Sequence, residues 1–122
     1  GGTLIIVSDC AEGMGSPEFR ASQGRLVELG PDRFLETILG KQFADVDEWQ
    51  TEMQLKPMRV GHVQLFSTGL PAADHGLTGV EMLPNTPDAV ARAVVASIAK
   101  HGDAAVAAIP EGPYVIPFSR AA

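Results

Sequence analysis

The chain has 122 residues, of which 45% are hydrophobic and 20% are charged. This length and composition predict a single globular domain with one core. The formal net charge of −6 argues against a nucleic-acid surface, because phosphate binding needs clustered Lys and Arg. No apolar run approaches the ~18 residues of a membrane helix, and no signal-peptide pattern opens the chain. We therefore expect a cytoplasmic domain with no nucleic-acid and no membrane partner.

The first stretch of the chain places polar groups after a strand. The uninterrupted run over residues 3–7 predicts a central strand buried on both faces of a parallel sheet. A loop with Gly13 and Gly15 follows, and Ser16 then precedes a proline and an acid, as at a helix start. Because ligands of open α/β sheets bind at the carboxyl ends of the strands, Glu12, Gly13, Gly15 and Ser16 are candidate cleft residues.

The remaining pattern alternates helices and strands. It predicts, in order, helices over 17–29, over 31–39 and from about 46, strands over 62–68 and 80–83, a helix from Thr86, a strand over 104–109 and a proline-containing tail over 110–117. Strands that alternate with helices form βαβ units with a parallel sheet. We therefore predict a three-layer, Rossmann-like α/β domain with a mostly parallel sheet of about four strands.

Two chemical interpretations of the first loop compete with purely structural ones. Backbone N–H groups at the helix start could hold a phosphate or carboxylate, although the glycines equally suit a tight turn and Glu12 would repel an anion. Cys10, the only cysteine, permits no disulfide and could act as a nucleophile. Of the three histidines, only His75 is expected at the same sheet edge, and a small buried cysteine is the commoner case.

Other candidates lie further along the chain. Trp49, the only tryptophan, either packs as core against the sheet or lines a ligand site. Asp45, Asp47 and Glu48 lie close together in the sequence and could form a metal site. Acids at a helix start, however, more often cap the helix or interact favourably with its dipole. The loop with His75 and the tail with Tyr114 both follow predicted strands, so either could supply polar contacts.

Several segments together resemble the C-terminal domain of the lactate racemase-like family, the nickel-pincer nucleotide-dependent racemases. The segments are GGTLIIVSDCAEGMGSPEF, the run Glu48, Trp49 and Gln50, the strand 62–68 with its following Gly69 and Leu70, and IPEGPYVIP at 109–117. They follow the family's order over nearly the whole chain. The resemblance implies that residues 1–122 form one domain, the C-terminal one of a longer two-domain protein.

The resemblance also implies a function for the parent protein. The missing N-terminal domain would hold the nickel-pincer nucleotide and the catalytic histidines, and the parent would racemise or epimerise a small 2-hydroxy acid. This segment would close the cleft and exclude water, with Trp49 as the substrate-binding residue, and would hold no cofactor or metal and be inactive alone. The alternative is a stand-alone small-ligand or nucleotide-binding α/β module without catalysis.

Overall fold

A three-stranded parallel sheet forms the centre of the structure, a computed structural model that describes residues 1–114. The strands are β1 (Thr3–Val7), β2 (His62–Phe66) and β3 (Glu81–Met82), which pair in the order β1-β2-β3. Thr3 stands opposite His62 and Leu65 opposite Met82, with all strands parallel. Since helices connect the parallel strands, the predicted α/β class is confirmed.

Among residues 1–114, four α-helices accompany the sheet: α1 (Pro17–Leu29), α2 (Pro31–Leu39), α3 (Glu48–Val60) and α4 (Ala89–His101). The predicted bounds of α1 and α2 are confirmed, because each helix has proline at its first position. The Ser16 hydroxyl caps α1 by accepting a hydrogen bond from the Phe19 N–H at 3.0 Å. Within residues 1–114, no helix combines the length and the apolar character needed to cross a membrane.

The two faces of the sheet carry different helices. Side chains alternate along a strand, so Ile5 and Phe66 share one face, where they pack against an apolar cluster that includes Ala93 of α4. On the opposite face, Ile6 and Leu65 point toward α1 and α3. A second cluster holds the helices together and consists of Leu26, Phe34 and Leu55 from α1, α2 and α3.

The position of β1 differs from the prediction. Within the described residues β1 pairs only with β2, so it is an edge strand and not the central one. Leu4, Ile6 and Val7 are 47%, 41% and 61% exposed. The apolar run correctly indicated a strand, but it could not indicate how many neighbours the strand has. The face of β1 that carries Leu4 and Ile6 is only partly covered, because α3 packs against β2.

The predicted fourth strand is also wrong. Residues 104–109 are irregular and exposed, although they follow α4 at the expected place. Four of these six residues are alanines, which have a low preference for strands and little surface to bury. Val106 and Ile109, the two strand-favouring side chains, remain 58% and 48% exposed. A 3₁₀ turn at Gly112–Tyr114 follows, and residues 115–117 of the predicted tail lie outside the described residues.

Candidate functional site

The loops after β1 and β2 are joined at the carboxyl edge of the sheet. The backbone oxygen of Asp9 accepts hydrogen bonds from the Ser67 hydroxyl at 2.7 Å and from the Gly69 N–H at 2.8 Å. The Asp9 carboxylate accepts a third bond, from the Thr68 hydroxyl at 2.7 Å. Because one aspartate satisfies three donors from the neighbouring loop, the two loops form a single fixed edge.

The glycine loop begins beside this edge. Gly13 and Gly15 have φ angles of 71° and 77°, in the left-handed region that only glycine adopts without strain. The Gly13 N–H donates to the Cys10 carbonyl at 2.9 Å and closes a tight turn, with Glu12 exposed at its tip. The turn therefore accounts for Gly13, and the loop brings both glycines, with Cys10, to the wall of a pocket.

The pocket lies between the sheet and helices α1 and α3 and has a volume of about 630 Å³. Its floor is apolar and is formed by Ile6, Val63 and Leu65. The polar side chains among its lining residues are Ser16, Gln23, Asp47, Gln50, Gln54 and Thr78. Asp47 is the only formally charged one, and the lining includes no Lys, Arg or His among the described residues. The pocket therefore suits apolar groups and disfavours anions.

A hydrogen-bond chain occupies the helix start that was considered for an anion. The Ser16 hydroxyl donates to one carboxylate oxygen of Asp47 at 2.5 Å, while it accepts from the first turn of α1. The other Asp47 oxygen accepts from the Gln50 amide at 3.0 Å. Because the start of α1 already has a side-chain cap and a neighbouring carboxylate, the arrangement does not favour a phosphate there.

A relay of two amides fixes the opposite wall. The backbone oxygen of Thr78 can only accept, so it requires the amide nitrogen of Gln54, at 2.7 Å, to face it. The Gln54 side-chain oxygen then accepts from the Gln23 amide nitrogen, also at 2.7 Å. This order links α1, α3 and the loop before β3, and it holds the side chains that line the pocket in one orientation.

Helix α3 presents three different surfaces. Gln50, Gln54 and Pro57 recur at helical spacing and line the pocket. Glu48, Thr51 and Leu55 are buried. Trp49 and Met53 form the third surface and are 60% and 48% exposed. Trp49 therefore does not pack as core. It is not among the residues that line the pocket, although the next residue of α3, Gln50, is.

Two cations keep Glu48 in its buried position. The carboxylate contacts the Arg25 guanidinium, and it lies 2.7 Å from Nζ of Lys41. Burial acts to raise the pKa of Glu48, but the hydrogen bonds from Lys41 and Arg25 outweigh it, and the pKa is lowered. Likewise, the hydrogen bond from Arg20 lowers the pKa of Asp74. The Arg20–Asp74 and Arg25–Glu48 ion pairs each join segments that are distant in the sequence.

None of the three histidines lines the pocket that Cys10 lines. His62 is 2.8 Å from Glu81, and His101 is 3.5 Å from Thr3, so both stand at the amino ends of the strands, as predicted. His75 lies in the 3₁₀ turn Ala72–Leu77, where its Nε2 is 3.2 Å from the Leu70 carbonyl. It lines a smaller hollow beside Gly79, not the main pocket.

The structure therefore brings Gly13, Gly15 and Ser16 to the pocket and leaves four other candidates outside its lining: Glu12, Trp49, His75 and Tyr114. Tyr114 is 87% exposed in its 3₁₀ turn. Sequence reasoning missed the pocket roles of Gln23 and Gln54. The sequence contains only a weak signal for these two roles. The direction of a glutamine side chain on a helix can be predicted only when the buried face of that helix is known.

Among residues 1–114, no three His, Cys, Asp or Glu side chains stand close enough together to hold a metal ion. Comparison of the chain with protein-family models, curated protein sequences and solved structures finds no match.

Proposed function

We propose that the chain is the cleft-closing, C-terminal domain of a lactate racemase-like isomerase, a Rossmann-like unit of a larger protein that acts on a 2-hydroxy acid. The observation that carries the proposal is the position of Trp49. This indole, the residue that the resemblance places at the substrate, is 60% exposed, and the next residue of α3, Gln50, lines the pocket. A large exposed aromatic side chain beside a cleft is typical of a binding surface.

The charges at the carboxyl edge of the sheet support a division of labour between two domains. Asp9, Glu12 and Asp47 lie near the pocket, and no cation lines it within the described residues. A nucleotide cofactor with phosphate and nickel does not fit this edge, because it needs cations and metal ligands that residues 1–114 do not bring together. The N-terminal domain would therefore hold the cofactor and the substrate carboxylate.

In this proposal the domain contributes to catalysis by shape. The exposed indole of Trp49 would cover the apolar side of the substrate when the cleft closes, and the apolar floor of the pocket would exclude water. The amide relay from Gln23 to Thr78 would hold the pocket wall in place during closure.

The proposal is tested with the complete gene product, loaded with the nickel-pincer nucleotide, on a panel of D- and L-2-hydroxy acids. We expect interconversion of the two enantiomers, and no activity from residues 1–122 alone. Trp49→Ala in the complete protein should lower kcat/KM by roughly 10- to 100-fold, since the substrate loses its orienting surface. Trp49→Phe should restore part of the loss.

Leu39→Ala is the matched control, because Leu39 is 75% exposed at the end of α2 and lines no part of the pocket. This variant should keep the wild-type kcat/KM. If the complete protein interconverts no 2-hydroxy acid, or if the isolated chain does so by itself, the proposal is wrong.

A further inference from the structure

We infer that the substrate of the proposed isomerase is a 2-hydroxy monocarboxylic acid with a large apolar side chain, which the pocket between the sheet and helices α1 and α3 receives. The inference rests on the proposed function and adds the substrate class. Its starting point is volume: about 630 Å³ lies within the range of ~300–1,000 Å³ in which pockets hold whole small molecules. A methyl group would leave nearly all of this space to water.

The chemistry of the lining selects the part of the substrate that enters. The floor consists of Ile6, Val63 and Leu65, and Phe19 and Val80 add to the apolar wall. No cation in the described lining could pair with a carboxylate, and Asp47 would repel one. The substrate carboxylate therefore stays outside the pocket, and its hydrocarbon group points inward.

The position of Trp49 gives the direction of entry. Asp47 and Gln50, which stand on either side of Trp49 in the chain, both line the pocket. Trp49 itself is outside the lining, so we place the reacting carbon against the indole and the 2-substituent alongside Gln50, which leads into the pocket. The same geometry disfavours a second carboxylate at the far end of the substrate, as in malate, because that charge would have to enter an apolar site.

The test compares three substrates of the complete protein loaded with the nickel-pincer nucleotide: lactate, 2-hydroxy-3-phenylpropanoate and malate. We expect kcat/KM to be about 10-fold or more higher for the phenyl acid than for lactate, since burial of the ring adds binding energy. Malate should be turned over more slowly than the phenyl acid by at least a similar factor.

Two variants locate the effect. Ile6→Trp should fill the pocket from the partly exposed edge strand and lower kcat/KM for the phenyl acid about 10-fold more than for lactate. Leu4→Trp is the matched control, because Leu4 lies on the same face of β1 outside the pocket lining and should change neither value. Circular dichroism of both variants shows whether they fold.

The outcomes separate the two proposals. If lactate or malate is turned over as efficiently as the phenyl acid, or if Ile6→Trp affects all substrates equally, the inferred substrate class is wrong and the isomerase function stands. If none of the three substrates, nor any other 2-hydroxy acid, is interconverted, the proposed function itself is wrong.

Discussion

Glu48 and Trp49 are neighbours at the start of α3, yet the carboxylate is 1% exposed and the indole is 60% exposed. This reverses the usual preference of the two side chains. The acid is buried because Arg25 and Lys41 contact it from α1 and from the loop after α2. Its inward position turns Trp49 outward, since consecutive residues of a helix point about 100° apart. The ion pairs of Glu48 therefore set the direction of the proposed substrate-binding residue.

Replacement of Glu48 should weaken the fold and its response to acid. Glu48→Gln is expected to lower the free energy of unfolding at pH 7 by about 1–3 kcal/mol, because Arg25 and Lys41 lose the negative charge with which they pair. Glu36→Gln, at an exposed position of α2, is the control and should change it by less than about 0.5 kcal/mol. Urea unfolding of the three proteins at neutral pH measures this difference, and equal midpoints would contradict it.

The acid response follows from the direction of the pKa shifts. The pKa values of Glu48 and Asp74 lie below their ordinary values of 4.5 and 3.8 in the folded state, so the unfolded chain takes up protons first as the pH falls. Their contribution to stability is complete above about pH 4.5 and is lost as the pH falls through the lowered folded values. Urea midpoints measured from pH 7 to pH 3 should fall less steeply for Glu48→Gln than for the wild type.

Removal of the Trp49 ring should leave the fold nearly unchanged. Trp49→Ala is expected to alter the free energy of unfolding by less than about 1 kcal/mol, because most of the indole already faces solvent. A tryptophan packed in the core would cost about 3–5 kcal/mol on the same substitution. Chemical unfolding followed by circular dichroism distinguishes the two values, and a loss in the larger range would mean that the indole packs inside.

Phe34 should be among the most sensitive positions of the helical cluster. It is 0% exposed, packs with Leu26 and Leu55, and has the Arg25 guanidinium 5.5 Å from its ring centre. Phe34→Ala is expected to cost about 3–5 kcal/mol, through lost burial and the cavity that remains. The matched variant Phe43→Ala, at a position that is 79% exposed, should cost less than about 0.5 kcal/mol. Similar losses for the two phenylalanines in denaturant titrations would contradict the packing described.

Gly69 should resist substitution for lack of space and not for its backbone angle. A Cβ atom there would lie 2.6 Å from the Asp9 carbonyl oxygen and 3.2 Å from Cα of Ala11. Gly69→Ala is therefore expected to separate the two loops of the carboxyl edge and to cost about 1–3 kcal/mol. Gly76→Ala, where a Cβ would meet nothing within 4 Å, should be neutral or slightly stabilising. Thermal unfolding of both variants makes the comparison, and a tolerated Gly69→Ala would refute the close approach.

Local signals in the sequence determined most of the elements. Ser16 with its following proline predicted where α1 begins, and Gly102 predicted where α4 ends, with a left-handed φ of 65°. These signals work because capping and backbone preference involve only residues a few positions apart. The α/β class followed from the alternation of strands and helices, and the carboxyl-edge location of the glycine loop followed from the parallel sheet.

Tertiary structure decided which surfaces are covered. The periodicity of α3 placed Trp49 and Met53 on one side, but contacts of Glu48 with Arg25 and Lys41 made that side the exposed one. Local preference likewise predicted β1 as central, whereas its number of neighbours depends on pairing between distant segments. The pocket required Gln23 and Gln54, 31 positions apart, to meet. Sequence periodicity gives the faces of an element, and only the packing of distant elements determines which face is buried.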